Sequence, residues 1–134
     1  MNSNSKYKIL VVEDEATMLN PLVASLIKES FNVVSATDGV EGLSMSLKEK
    51  PDLILLDISM PNMNGVEMMQ RLRESGDYGK NVKIILLTSL NVDDNIMKGI
   101  VEGMPSFFLT KDTSSIADII QKVKESLEIS IFKL

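Results

Sequence analysis

Short apolar runs alternate with amphipathic stretches from one end of the chain to the other. The runs are Lys8 to Val12, Asn32 to Ala36, Leu53 to Leu56, Lys83 to Leu87 and Phe107 to Leu109. Each has strand length, and the first, third and fourth are almost wholly apolar, as expected of strands covered on both faces. Between them apolar residues recur at helical spacing. Met18, Leu19, Leu22, Val23, Leu26 and Ile27 predict a first helix with these residues inward, and Pro21 inside that pattern predicts a late start or a kink. Asp38 with Glu41 three residues later reads as a capping box opening a second helix that carries Val40, Leu43 and Leu47 on one face and ends near Pro51. Val66, Met69 and Leu72 mark a third helix after Gly65, and Ile96, Met97, Ile100 and Val101 mark a fourth ending near Gly103. Ser115 and Asp118 cap a last helix with Ile116, Ile119, Ile120, Val123 and Leu127 in register.

Strand and helix alternating five times is the pattern of β-α units wound around a parallel sheet. The expected fold is α/β, a doubly wound five-stranded parallel sheet in the flavodoxin-like order 2-1-3-4-5 with helices on both faces. Residues 1–128 are expected to form one domain, and 129–134 an apolar tail or the start of a linker. An apolar content of 44% is enough for one core, and zero Cys with zero His removes zinc and thiol chemistry, so any metal is held by oxygen. A net charge of -5 works against direct binding of nucleic acid, and the apolar runs are too short to span a bilayer. A cytoplasmic protein without membrane insertion is expected.

In such sheets ligands bind beyond the carboxyl ends of the strands. Those positions hold Glu13 and Asp14, Asp57, Thr88 and Ser89, and Thr110 and Lys111. If strands one and three are neighbours, three carboxylates crowd together, and their repulsion implies a hard divalent cation, most naturally Mg2+. Asp14, Asp57 and the Ser59 carbonyl can supply the protein's share of ligands. A carboxylate can form an acyl phosphate when the charge on the incoming phosphoryl group is neutralised, a task for the metal and Lys111. Thr88 can donate a hydrogen bond to a further phosphoryl oxygen.

These residues resemble the response-regulator receiver domains of two-component signalling, stand-alone chemotaxis regulators being the nearest type by length. The resemblance rests on Lys8 to Glu15, on Pro51 to Pro61 with Asn64-Gly65 behind it, on Leu86 to Ser89 and on Phe108 to Lys111. It implies that Asp57 is the phosphoacceptor, Asp14 a direct magnesium ligand, Glu13 a ligand through water, and Lys111 the phosphate-binding cation. Thr88 and Phe108 become a switch pair that reshapes the surface of the fourth helix, fifth strand and fifth helix. Implied partners are a sensor histidine kinase or histidine phosphotransfer protein, and a downstream target or output domain. A monomer or a phosphorylation-dependent dimer is implied, and the chemistry is limited to gain and loss of its own phosphate.

The chain departs from the family pattern at four places. Phe108 stands where Tyr is frequent, Asp112 where Pro usually follows the lysine, Pro105 lies in the loop before strand five, and Pro21 lies in helix one. A non-proline cis peptide costs about 3 kcal/mol, so a cis bond after Lys111 loses its usual support. Two rival functions fit less well. A haloacid dehalogenase-type phosphatase would carry an acidic residue where Ser59 stands, and a flavin carrier would be repelled by Glu13-Asp14-Glu15. A phosphorylation-independent pseudo-receiver, or the receiver half of a larger regulator, are the alternatives within the family.

Overall fold

A computed structural model describes residues 3–89 and 92–129. Its sheet comprises β1 (Lys8–Val12), β2 (Asn32–Ala36), β3 (Leu53–Asp57), β4 (Lys83–Thr88) and β5 (Phe107–Thr110), all parallel, in the order β2-β1-β3-β4-β5. The longer helices are α1 (Ala16–Lys28), α2 (Gly39–Glu49), α3 (Gly65–Arg73), α4 (Asp94–Gly103) and α5 (Ile116–Ser126). A 3-10 turn, Ser3–Lys6, and a helical turn, Asp77–Asn81, are unmarked by the apolar periodicity.

Alternation along the strands divides the interior in two. Ile9, Val11, Leu53, Leu55, Ile85 and Leu87 face α1 and α5, meeting Leu22, Leu26, Ile119 and Val123. Leu10, Val12, Ile54, Leu56, Ile84 and Leu86 face the other way, against Met68, Met69 and Leu72 of α3 and Ile100 of α4. Both sides of the central strands are buried, which is why their sequences read as unbroken apolar runs.

Helix starts follow the capping residues. The Asp38, Asn64 and Asp93 carboxylate or amide oxygens accept from the Glu41, Glu67 and Ile96 amides, and Ser115 with Asp118 forms a complete capping box. Such caps are worth about 1 kcal/mol each. α2 and α4 stop at left-handed residues, Lys50 and Met104, each followed by a proline.

Three expectations are corrected. α1 starts at Ala16, not late, with Pro21 inside it on the exposed side. α2 buries Gly39, Gly42 and Ser46, packs Leu43 partly against the core, and leaves Val40 and Leu47 exposed. A Cβ on Gly42 would stand 2.8 Å from Val12 Cγ1, so the helix lies too close for large residues on that face. Ile27 of α1 is likewise exposed, as are Met97 and Val101 of α4. The tail from Ser130 lies outside the described residues.

Candidate functional site

The site grows from the ends of four strands. The Glu13 amide donates to the Ala36 carbonyl at 3.1 Å, so pairing continues one residue past β1 and carries the Glu13 side chain inside, where it is 2% exposed. Asp57, also 2% exposed, is the last residue of β3 and lies opposite Leu87 of β4. The Ile58 amide then donates to the Leu87 carbonyl at 3.0 Å, fixing the chain on the far side of Asp57.

The chain folds back at once. The Gly65 amide reaches the Ile58 carbonyl at 2.9 Å, and a Cβ at Gly65 would fall 2.2 Å from the Asp57 carbonyl oxygen. Only glycine permits that approach, so α3 starts where it does because residue 65 has no side chain.

Thr88 ends β4, fully buried, and its backbone carbonyl accepts from the Lys111 amide at 2.8 Å. That bond carries Lys111 to the same edge of the sheet. Its ammonium hydrogen-bonds to Glu13 Oε1 and stands 3.3 Å from Asp57 Oδ1. One carboxylate oxygen from each of Glu13, Asp14 and Asp57 lies within 4.8 Å of the others. Asp14 is the exposed member, at the mouth of the site.

Burial, and next the neighbouring Asp57, push the Glu13 carboxyl up to about 7, with Lys111 pulling the other way. Burial draws the Lys111 ammonium down, but Glu13 and Asp57 outweigh it and leave its pKa raised. Glu13 Oε2 and Asp57 Oδ1 are buried without a geometric hydrogen bond, Asp57 Oδ1 having only the Lys111 ion pair. Buried carboxylate oxygens short of hydrogen bonds in an all-oxygen set are the donors that a hard cation such as Mg2+ takes. The residues fit that ion.

The structure therefore brings Glu13, Asp14, Asp57 and Lys111 together. Thr88 lies at the same edge, paired with Thr110. Ser59 and Ser89 are exposed beside it, and Leu90 lies outside the described residues. Phe108, opposite Leu86, is half-buried against the cluster beneath α3 and α4. Phe107 points to the other face, with the Lys122 ammonium 4.7 Å from its ring centre. The peptide bond after Lys111 is trans, like the others described. Pro105 lies in a short turn from Met104 to Ser106, whose amide donates to the Ile84 carbonyl at 2.7 Å.

Two residues with structural roles, one at the site and one at the opposite end of the sheet, escape sequence reasoning. Gly65 reads only as a helix start, although a glycine directly after a capping Asn hints at a close approach. Arg73 of α3 contacts only backbone carbonyls, and no residue pattern signals such partners.

A family model described as the response regulator receiver domain matches residues 9–124. Hybrid signal transduction histidine kinase D of Dictyostelium discoideum is 38% identical over 114 residues, 85% of this chain and 7% of that protein. A probable transcriptional regulator, ycf27, of Porphyridium aerugineum is 36% identical over 78% of this chain and 42% of its own length. The chain thus spans less than half of these relatives. Among solved structures, the BeF3-activated N-terminal receiver domain of RstA from Klebsiella pneumoniae is 32% identical, with a TM-score of 0.77 over 90% of this chain and 97% of that one. A CheY-like response regulator receiver domain protein from Methanospirillum hungatei JF-1 shares the fold at a TM-score of 0.82 and 24% identity, covering 91% of this chain and 94% of that one.

Proposed function

The chain belongs to the response regulator receiver domain family of two-component signalling, and from that premise we propose that Asp57 accepts a phosphoryl group from a phosphohistidine donor and thereby switches a partner-binding surface. The observation that carries this reading is the gathering of Glu13, Asp14 and Asp57, with Lys111 ion-paired to Glu13 and Asp57 and with Glu13 Oε2 buried and free of any hydrogen bond. The family is one of signalling switches rather than enzymes acting on small molecules.

An Asp57 carboxylate oxygen attacks phosphorus, the new O–P bond forming as the donor's N–P bond breaks and its imidazole leaves with the electron pair. Lys111, 3.3 Å from Asp57 Oδ1, carries positive charge where phosphoryl oxygens would arrive. The Thr88 hydroxyl, at the end of the adjacent strand, donates to one of them. Asp14, Asp57 and the Ser59 carbonyl would hold Mg2+ directly, and Glu13 through water. When bound, the ion supplies the charge neutralisation that lets an anionic nucleophile meet an anionic phosphoryl group.

As Thr88 turns toward the phosphate, the half-buried Phe108 ring moves inward, remodelling the face made by α4, β5 and α5. Met97, Val101 and Met104 of α4 are exposed there as apolar contacts for a partner. The domain is taken as residues 1–128. Its donor is a sensor histidine kinase or a histidine phosphotransfer protein, and its reader a target protein or an output domain. It works as a monomer or a phosphorylation-dependent dimer. No helix among the described residues is long and apolar enough to cross a membrane, and a cytoplasmic site of action fits. The partial coverage of its relatives favours a second reading, in which the chain is the receiver part of a longer regulator.

Intact mass after incubation with acetyl phosphate tests the chemistry. The expected result is a gain of one phosphoryl group that needs Mg2+ and is abolished by Asp57→Asn. No gain in a folded protein would leave a docking module that does not use phosphate.

A further inference from the structure

The guanidinium of Arg73, the last residue of α3, is directed at four backbone carbonyls. Nε donates to Gly103 at 2.8 Å, one Nη to Gly79 at 2.9 Å and Val82 at 2.6 Å, and the other Nη reaches Met104 at 3.5 Å. Gly103 and Met104 are the last residue and C-cap of α4, Gly79 sits in the helical turn, and Val82 immediately precedes β4. One planar cation therefore ties the C-terminal end of α4 to the base of the sheet and answers carbonyls that the helix leaves unpaired. Lysine lacks the rigid fork needed to hold so many acceptors at once.

Packing holds the same half of the helix. A Cβ at Gly103 would fall 2.1 Å from Met69 Cε, and one at Gly99 2.6 Å from Val66 Cγ1, so both glycines seat α4 directly on α3. The opposite end differs. Asp93, Asp94 and Asn95 are exposed, and the first turn is capped by Asp93 of its own chain.

We propose that Arg73 is the fixed pivot of α4, a positioning residue that makes the helix tilt about Gly103 instead of sliding when the Thr88 end is drawn inward. The trigger rests on the phosphoacceptor reading above; the anchor does not. Over a helix about 15 Å long, motion is greatest at Asp94 to Met97 and vanishes at Gly103 and Met104. The partner surface then has a moving part at Met97 and a stationary part at Met104.

Amide exchange measured by NMR on the full chain tests this, with and without BeF3 and Mg2+, while fluorine NMR reports separately whether BeF3 has bound. In the parent, adding BeF3 should alter the amides of Ile96 to Lys98 and leave those of Val101 to Met104 unchanged. In Arg73→Gln the Val101 to Met104 amides should exchange about tenfold faster or more, the scale of losing hydrogen bonds to a charged donor, and should respond to BeF3 as well. Val82→Ala, which lowers stability but keeps the carbonyl, should retain the parent pattern. A response spread evenly to Met104 in the parent, or Arg73→Gln behaving like the parent, would overturn the pivot. If Arg73→Gln does not fold, the parent pattern decides. If BeF3 fails to bind, the phosphoacceptor reading fails, and the pivot is judged in the free chain. There it requires slower exchange at Val101 to Met104 than at Ile96 to Lys98, and an even profile refutes it.

Discussion

At the scale of single residues, Glu13 is buried beside a second carboxylate, and the consequence is a stability that depends on pH. Its pKa stands at about 7 in the fold against an ordinary 4.5. Between those values the folded protein keeps a proton that the unfolded chain has released, so raising the pH through the window favours unfolding. In metal-free buffer the parent should lose on the order of 2 kcal/mol between about pH 5 and about pH 8, and Glu13→Gln should flatten that slope. Thermal melts at the two pH values, without and with Mg2+, check it, with Mg2+ restoring stability at the higher pH; a parallel slope in both proteins would mean that Glu13 is not the titrating group. Gly65 carries the second residue-scale prediction. Gly65→Ala drives a methyl group against the Asp57 carbonyl, and urea unfolding should show a loss of about 1–3 kcal/mol. Asp14, Asp57 and Lys111 were legible as charges at the ends of apolar runs. The burial of Glu13 was not, because it depends on one backbone hydrogen bond to Ala36 in another strand.

Among the elements, α2 is the instructive case. Val40, Leu43 and Leu47 share a face at helical spacing, yet only Leu43 of the three packs against the core, and the fully buried positions are Gly39, Gly42 and Ser46. Hydrophobic periodicity misleads where backbone proximity decides, since small residues bury readily and carry no apolar signal. Val40→Ser and Leu47→Ser should therefore each change stability by no more than about 0.5 kcal/mol. Gly42→Ala, pressed between Val12 and Met68, should cost about 1–3 kcal/mol, and chemical denaturation of the three variants ranks them. The reverse ranking would return α2 to the inward-facing reading. Caps were legible at Asp38 and Ser115 because these bond within their own turn. The helical turn Asp77–Asn81 was not, being held by long-range partners such as the Tyr78 hydroxyl on the Pro51 carbonyl at 2.6 Å. Strands β3, β4 and β5 each run one residue beyond their apolar runs, to Asp57, Thr88 and Thr110, since pairing continues past the last apolar side chain.

For the whole molecule, the strand order was legible only indirectly, as the arrangement that brings Asp14 and Asp57 together, and the pairing of β1 with β3 provides it. That same order assigns the parts of the acidic pocket to different stages of assembly. Its three carboxylates lie within the first 57 residues and meet once β1 and β3 pair, whereas Lys111 arrives only with β5, an edge strand of half-buried side chains joined to β4 alone. A chain growing from its N-terminus, or refolding from denaturant, thus assembles mutually repelling carboxylates before their built-in countercharge is at hand. Added Mg2+ should accelerate refolding in stopped-flow experiments, and Asp14→Asn should weaken that acceleration; an unchanged rate would mean that the carboxylates come together only after the barrier. On the proposed reading, the ion that the finished pocket would hold first acts as a midwife to that pocket.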